Sequence, residues 1–238
     1  MNEFPTGSHN YKAFVGAYDF YDVVGADQFV LLTTKGLRDN HSLLDFGCGS
    51  LRLGRMAIPY LNSNNYYGIE PEKWLVEEGV NNNLGNDILN VKNPLFNYNA
   101  DFNLDVFEKK FDFIIACSIF SHATKAQIEK ALHSAKKVMH NKSIFFASFM
   151  VGDSDYEGKD WVYPKVISYT MNWMTKTAEK AKLRCQKIEW TSPHLQTWVA
   201  FTLNDFDKKE IEELKTANAF IKYSLIRKSQ YGKQIVKS

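Results

Sequence analysis

The chain has 238 residues, 45% of them apolar, with 29 basic against 27 acidic side chains and a net charge of +2. That is enough apolar material for the core of one α/β domain. A near-balanced charge argues against a dedicated nucleic-acid binder, which carries a marked basic excess, and no apolar run approaches the roughly 20 residues that span a bilayer.

The three cysteines, Cys48, Cys117 and Cys185, are far apart and form no CxxC pair, so neither a metal site nor a disulfide framework is expected. Free thiols fit a reducing compartment. Met1 to Asn10 is polar, with Pro5 and Gly7, and lacks the charged-then-apolar layout of a signal peptide, so the expected location is cytoplasmic.

Tyr11 to Phe29 carries Tyr11, Phe14, Tyr18, Phe20, Tyr21 and Phe29 at helical spacing, which predicts core packing and an amino-terminal helical cap over residues 1–40. His41 to Phe46 reads as a buried strand and Leu51 to Leu61 as a helix. Tyr66 to Glu70 is a second strand, Glu72 to Val80 a helix, and Leu95 to Ala100 a third strand. Phe111 to Cys117 is apolar and rich in strand formers, and predicts the fourth. Thr124 and Gln127 have capping-box spacing, and Ile128, Leu132, Ala135 and Val138 continue with helical period.

Ser143 to Phe149 is a fifth strand, and the polar, aromatic stretch Gly152 to Tyr163 then interrupts the rhythm. A helix over Tyr169 to Lys182 and strands over Arg184 to Trp190 and Gln196 to Leu203 complete the pattern. Such alternation predicts a doubly wound, mostly parallel seven-stranded sheet with helices on both faces. Only a few residues around Ser192, Pro193 and His194 join the last two strands. That is too short for a parallel crossover, so the last strand should run antiparallel. Asp207 to Tyr223 reads as a further helix ahead of a basic tail within residues 204–238, able to pack on its own sheet or in a homodimer.

The chemistry centres on the loop Asp45-Phe46-Gly47-Cys48-Gly49. Gly47 and Gly49 let the backbone approach a ligand, and the following helix offers free N–H groups. Glu70, ending the second strand, can accept hydrogen bonds from both hydroxyls of a ribose. A dinucleotide fingerprint wants a third glycine where Arg52 stands, which weakens the competing reading of a nicotinamide oxidoreductase.

DFGCGSLRLGR resembles the first motif of class I S-adenosylmethionine-dependent methyltransferases, with Asp45 ahead of the two glycines, and YYGIEP, with Glu70 and Pro71, resembles their second. Ala100, Asp101 and Phe102 fall where that family places a residue against the adenine, and FDFIIACSIFSH resembles its fourth-strand motif beneath the methyl donor. The chain is similar to a bacterial subgroup acting on small molecules. The resemblance implies a Rossmann-like core over 41–203, S-adenosylmethionine as cofactor, and Asp45, Gly47, Cys48, Gly49, Glu70, Pro71, Asp101, Phe102 and Ser118 at the donor.

In open parallel sheets ligands bind beyond the carboxyl ends of the strands. That edge holds Ser118 to His122 and the turn carrying His194, so His122 and His194 are the candidate bases. Trp161 and Tyr163 follow the fifth strand and are candidate acceptor contacts, as are Tyr21 and Gln28 in the amino-terminal segment, with core packing the competing explanation for the aromatics. Arg52 and Arg55 could hold a methionine carboxylate or pair with a surface acid. The fourth strand lacks the Asn/Asp-Pro-Pro-aromatic motif of base amino-methyltransferases, and no Asp/Asn trio suggests a catechol-type metal site. The expectation is methyl transfer to an oxygen or nitrogen of a small metabolite or sugar-like acceptor, the alternative being a non-catalytic, methyltransferase-like binding subunit.

Overall fold

The computed structural model describes residues 4–205. In chain order it contains α1 (Tyr21–Thr34, entered through a single tight turn at Tyr18–Phe20), β1 (Leu43–Phe46), α2 (Gly54–Tyr60), β2 (Tyr66–Ile69), α3 (Lys73–Gly79), α4 (Asn86–Lys92), β3 (Leu95–Asn97) and β4 (Phe111–Ala116). Then follow α5 (Lys125–Lys137), β5 (Met139–Val151), β6 (Ser168–Tyr169), α6 (Met171–Lys180), β7 (Arg184–Lys187) and β8 (Thr197–Thr202).

The main sheet runs β3-β2-β1-β4-β5-β8-β7, and the short β6 pairs with the end of β5. β1 lies parallel to β2 and β4, while β8 is antiparallel to both β5 and β7. The predicted doubly wound sheet with a reversed last strand is therefore present.

Successive residues of each central strand serve opposite faces, as pleating requires. Leu44, Ile114 and Phe145 join the core under α5 and α6, whereas Leu43, Ile115 and Phe146 join the core under α1 and α2. Each fully buried side chain of this size stabilises the fold by about 1.5–3 kcal/mol, and together they hold the strand ends that carry the site. At the start of α5, Thr124 Oγ1 accepts from Gln127 N and Gln127 Oε1 accepts from Thr124 N, completing the predicted capping box.

Several boundaries move. The amino-terminal stretch is helical only from Tyr18; residues 4–17 run as turns across the sheet's edge, and Phe20 is 48% exposed rather than core. α4 is an element the sequence pattern does not announce, because none of its side chains is buried and no apolar stripe marks it. Tyr169 pairs in β6, so α6 starts after Thr170, whose hydroxyl accepts from Trp173 N. The proposed helix at Asp207 to Tyr223 and the basic tail lie outside the described residues.

Two glycines let helices press on the backbone that follows the glycine loop. A Cβ on Gly25 of α1 would lie 2.5 Å from the Arg52 carbonyl oxygen, and one on Gly79 of α3 would lie 2.3 Å from that of Ser50. Neither obstacle is a side chain that can swing aside. Gly79→Ala should therefore destabilise the protein by about 1–3 kcal/mol through overpacking, read as a lower urea midpoint at unchanged slope.

Candidate active site

The strand order reverses at β1 and β4, the point where open α/β sheets hold their ligands. A cavity of about 390 Å³ lies there, beyond the carboxyl ends of β1, β2 and β4. Its floor is the glycine loop. Gly47 (φ +78°) and Gly49 (φ +53°) are both left-handed. A Cβ at Gly47 would lie 2.1 Å from Ile119 Cδ1, and one at Gly49 2.7 Å from Val15 Cγ1, so side chains at either position would crowd the site.

Glu70 lines this floor and is nearly buried. Its carboxylate accepts from Gly49 N at 2.9 Å and from Glu72 N at 3.0 Å, tying the end of β2 to the loop. Burial raises its pKa, against the lowering effect of these two N–H groups. Asp45 is deeper and accepts from the Tyr66 hydroxyl at 2.7 Å; burial pushes its carboxyl up to about 7. Arg55 pairs with the exposed Asp22 at 2.7 Å. Arg52 instead lines the cavity, donating to the Val15 carbonyl at 2.9 Å.

The opposite wall comes from the loop after β4. Ser118 holds a left-handed φ of +60° and donates its N–H to Ser148 Oγ at 2.8 Å. Gln196 of the β7–β8 connection braces this loop: its Nε2 donates to Ser118 Oγ at 2.8 Å and Ser121 Oγ at 3.2 Å, while its Oε1 accepts from Ser148 Oγ at 2.8 Å. These bonds fix the approach to His122. His122 Nδ1 lies 2.8 Å from the Val162 carbonyl and 3.0 Å from that of Lys165. Both partners only accept, so Nδ1 carries the proton and Nε2 keeps a lone pair. Burial lowers the pKa of His122, which keeps the ring neutral. Trp161 and Tyr163 pack on it with ring centroids at 5.4 and 5.1 Å.

Of the residues singled out from sequence, Asp45, Gly47, Cys48, Gly49, Arg52, Glu70, Pro71, Phe102, Ser118, Gln28, His122, Trp161 and Tyr163 line this one cavity. Four do not, the first being Arg55 in its pair with Asp22. Asp101 is exposed and pairs with Lys130 at 3.1 Å, because the turn aims it at α5; Asn99 and Ala100 face the cavity instead. Tyr21 is buried with its hydroxyl donated to the Ser50 carbonyl at 2.8 Å, so it supports the loop from behind. His194 is held by Ser192 Oγ at 2.5 Å, which itself donates to Asp27 at 2.9 Å, and its Nε2 contacts Ser148 and Cys117. It stands in a polar chain behind the wall.

Burial and the Arg52 charge lower the pKa of His194 to about 4. Between pH 4 and 6.5 the unfolded chain binds a proton there that the folded chain refuses, so this stabilisation is present above 6.5 and lost on acidification. Asp45 has the opposite sign: it keeps its proton up to about pH 7 when folded but releases it near 3.8 when unfolded. Subtracting a His194→Asn variant from the parent removes the Asp45 contribution. The difference in unfolding free energy should widen as pH rises from 4 to 6.5, and urea titrations at several pH values would read it.

Phe14, which the sequence pattern assigns to core packing, and Val15, which it does not mark, reach the cavity from the irregular amino-terminal segment. That segment is fastened by Ser50 Oγ to the Tyr11 carbonyl at 2.6 Å and by the Tyr163 hydroxyl to the Phe14 carbonyl. Gln127 was visible only as a capping residue, yet it also lines the cavity.

Residues 44–145 match the family model of a methyltransferase domain, the span that carries the glycine loop, Glu70 and the β4 loop. The central part of the chain is thus similar to a methyltransferase domain. Solved structures, methyltransferases among them, share the fold at low identity. DesVI of Streptomyces venezuelae is 11% identical, with TM-score 0.59 over 80% of this chain and 95% of its own. Magnesium protoporphyrin IX methyltransferase of Synechocystis PCC 6803, solved with S-adenosylhomocysteine, is 13% identical, with TM-score 0.56 over 79% of this chain and 88% of its own. The glycopeptide N-methyltransferase MtfA, also with S-adenosylhomocysteine, is 9% identical, with TM-score 0.58 over 77% and 90%.

The similarity to methyltransferases implies S-adenosylmethionine as the methyl donor. The residues present fit it: a turn with no room for side chains at Gly47 and Gly49, beside a nearly buried carboxylate suited to vicinal hydroxyls. Among the described residues, no helix is long and apolar enough to cross a membrane.

Proposed function

We propose that this chain is an S-adenosylmethionine-dependent methyltransferase that modifies an oxygen or nitrogen nucleophile of a small-molecule acceptor, with His122 as the base when the nucleophile is a hydroxyl. The observation that carries this reading is His122 itself. Its Nδ1–H is committed to two backbone carbonyls, and the ring lines the same cavity as the glycine loop. A neutral imidazole with a fixed tautomer suits proton abstraction.

When bound, the donor supplies a methyl group on a positively charged sulfur that departs as a neutral thioether. The protein's part is alignment, which can lower a barrier by roughly 7–11 kcal/mol at the upper end. In this reading Gly47, Cys48 and Gly49 cradle the donor and Glu70 accepts from its ribose. Asn99, Pro71 and Phe102 border its base, and Arg52 takes its carboxylate. Gln28, Trp161 and Tyr163 face the acceptor, while Asp45 and Ser118 shape the floor between the two.

Titration calorimetry with S-adenosylmethionine and S-adenosylhomocysteine tests the donor half, and labelled methyl incorporation into a metabolite extract tests the acceptor half. Binding of both nucleosides without incorporation into any small molecule would favour a non-catalytic binding subunit. Protection of the fold by NAD and not by S-adenosylmethionine would sink the donor assignment.

A further inference from the structure

Charge is distributed unevenly around the cavity. The charged residues that line it are Asp45, Arg52, Glu70 and Glu72, all on the glycine loop, the turn into α2 or the end of β2. The other half is built from Ser118, His122, Gln127, Trp161 and Tyr163, none of which carries a fixed charge. Its one titratable imidazole is buried and held neutral. Arg52, the single cation among the described lining residues, donates to the Val15 carbonyl, reaches toward Cys117 Sγ at 3.7 Å and is the group assigned above to the donor's carboxylate. A phosphate or carboxylate entering the far half would have to compete with the donor's carboxylate for Arg52 or go without a partner charge, a cost that ordinary contacts do not offset.

The same half offers aromatic surface. Trp161 packs at a tilt against Phe102 at 6.1 Å and against His122 at 5.4 Å, and Tyr163 meets His122 edge-on at 5.1 Å. Gln127 adds a neutral donor, since its Oε1 is taken by Thr124 N and its amide NH2 remains. Aromatic planes with a few uncharged polar groups suit a ring that presents one apolar face and hydroxyls at its rim.

We propose that the acceptor is an uncharged, hydroxyl-bearing ring compound, phenolic or glycosidic, with no phosphate or carboxylate beside the reacting hydroxyl. The proposal rests on the donor and acceptor sharing this cavity, as argued under the proposed function. Trp161 is its principal specificity residue, and at 42% exposure it can be replaced without loss of the fold.

The test is calorimetry on protein saturated with S-adenosylhomocysteine. Catechol is compared with its carboxylated analogue protocatechuate, and methyl glucoside with methyl glucuronide and glucose phosphate. The neutral member of at least one series should bind tenfold or more tighter than its charged partners, and the series that does so identifies the ring as phenolic or glycosidic. Trp161→Ala should weaken that binding about tenfold with S-adenosylhomocysteine affinity unchanged, and Trp161→Arg should turn the preference toward the charged members. Equal or tighter binding of charged members to the parent protein, or no binding by any neutral member, overturns the proposal. Failure of S-adenosylhomocysteine itself to bind is a separate result, which overturns the donor assignment and this proposal with it.

Discussion

His122→Ala should lower turnover by about a hundred- to ten-thousandfold at saturating donor and acceptor, the contribution of a positioned general base to a hydroxyl reaction. Donor affinity should stay within about twofold, since the ring's hydrogen bonds run to Val162 and Lys165 and none runs to the glycine loop. The pH profile separates a base from a packing residue. Burial lowers the pKa of His122, so the parent's turnover should hold below the ordinary imidazole value of 6.5 and fall only in more acidic solution, as the ring takes up a proton. That acid limb should vanish in the variant. His194→Ala is the control: it lies behind the wall against Cys117 and Ser148, so it should cost stability more than turnover. A loss under tenfold in His122→Ala would remove the base and leave positioning as the protein's whole contribution.

Legibility from sequence followed periodicity. Fully buried strands such as Leu43–Phe46 and Phe111–Ala116 announce themselves as apolar runs, and α5 by its cap and its stripe. Gly47, Gly49 and Glu70 could be placed at the cavity because a tight strand-to-helix turn and an acid ending a strand are both visible in the sequence. What stayed hidden depends on where a side chain points once the chain is folded. Asp101 and Asn99 are equally plausible in the sequence, and only the turn geometry sends one to Lys130 and the other to the cavity. His122 and His194 both sit at the carboxyl edge, yet the Asp27–Ser192 pair draws His194 away from the ligand side. The Gly25 and Gly79 contacts were equally silent, because a helical glycine shows no partner until two backbones meet.

Glu70→Ala should weaken S-adenosylmethionine binding by about 1.5–3 kcal/mol, the range for lost hydrogen bonds to a charged group. The nearly buried carboxylate does two jobs that must be told apart. It accepts from Gly49 N and Glu72 N, so truncation also frees two backbone donors and loosens the loop. If loop support were its whole role, the urea midpoint without ligand would fall in proportion to the affinity. If ribose recognition dominates, Glu70→Gln, which retains one oxygen for Gly49 N, should restore most of the stability but little of the binding. Because burial raises the pKa of Glu70 above 4.5, donor affinity should begin to fall on acidification earlier than an exposed glutamate would dictate, as the protonated carboxyl loses acceptor capacity. Calorimetry on the parent and both variants across that range reads all three effects. Unchanged affinity in Glu70→Ala would leave Glu70 as a clasp on the glycine loop and nothing more.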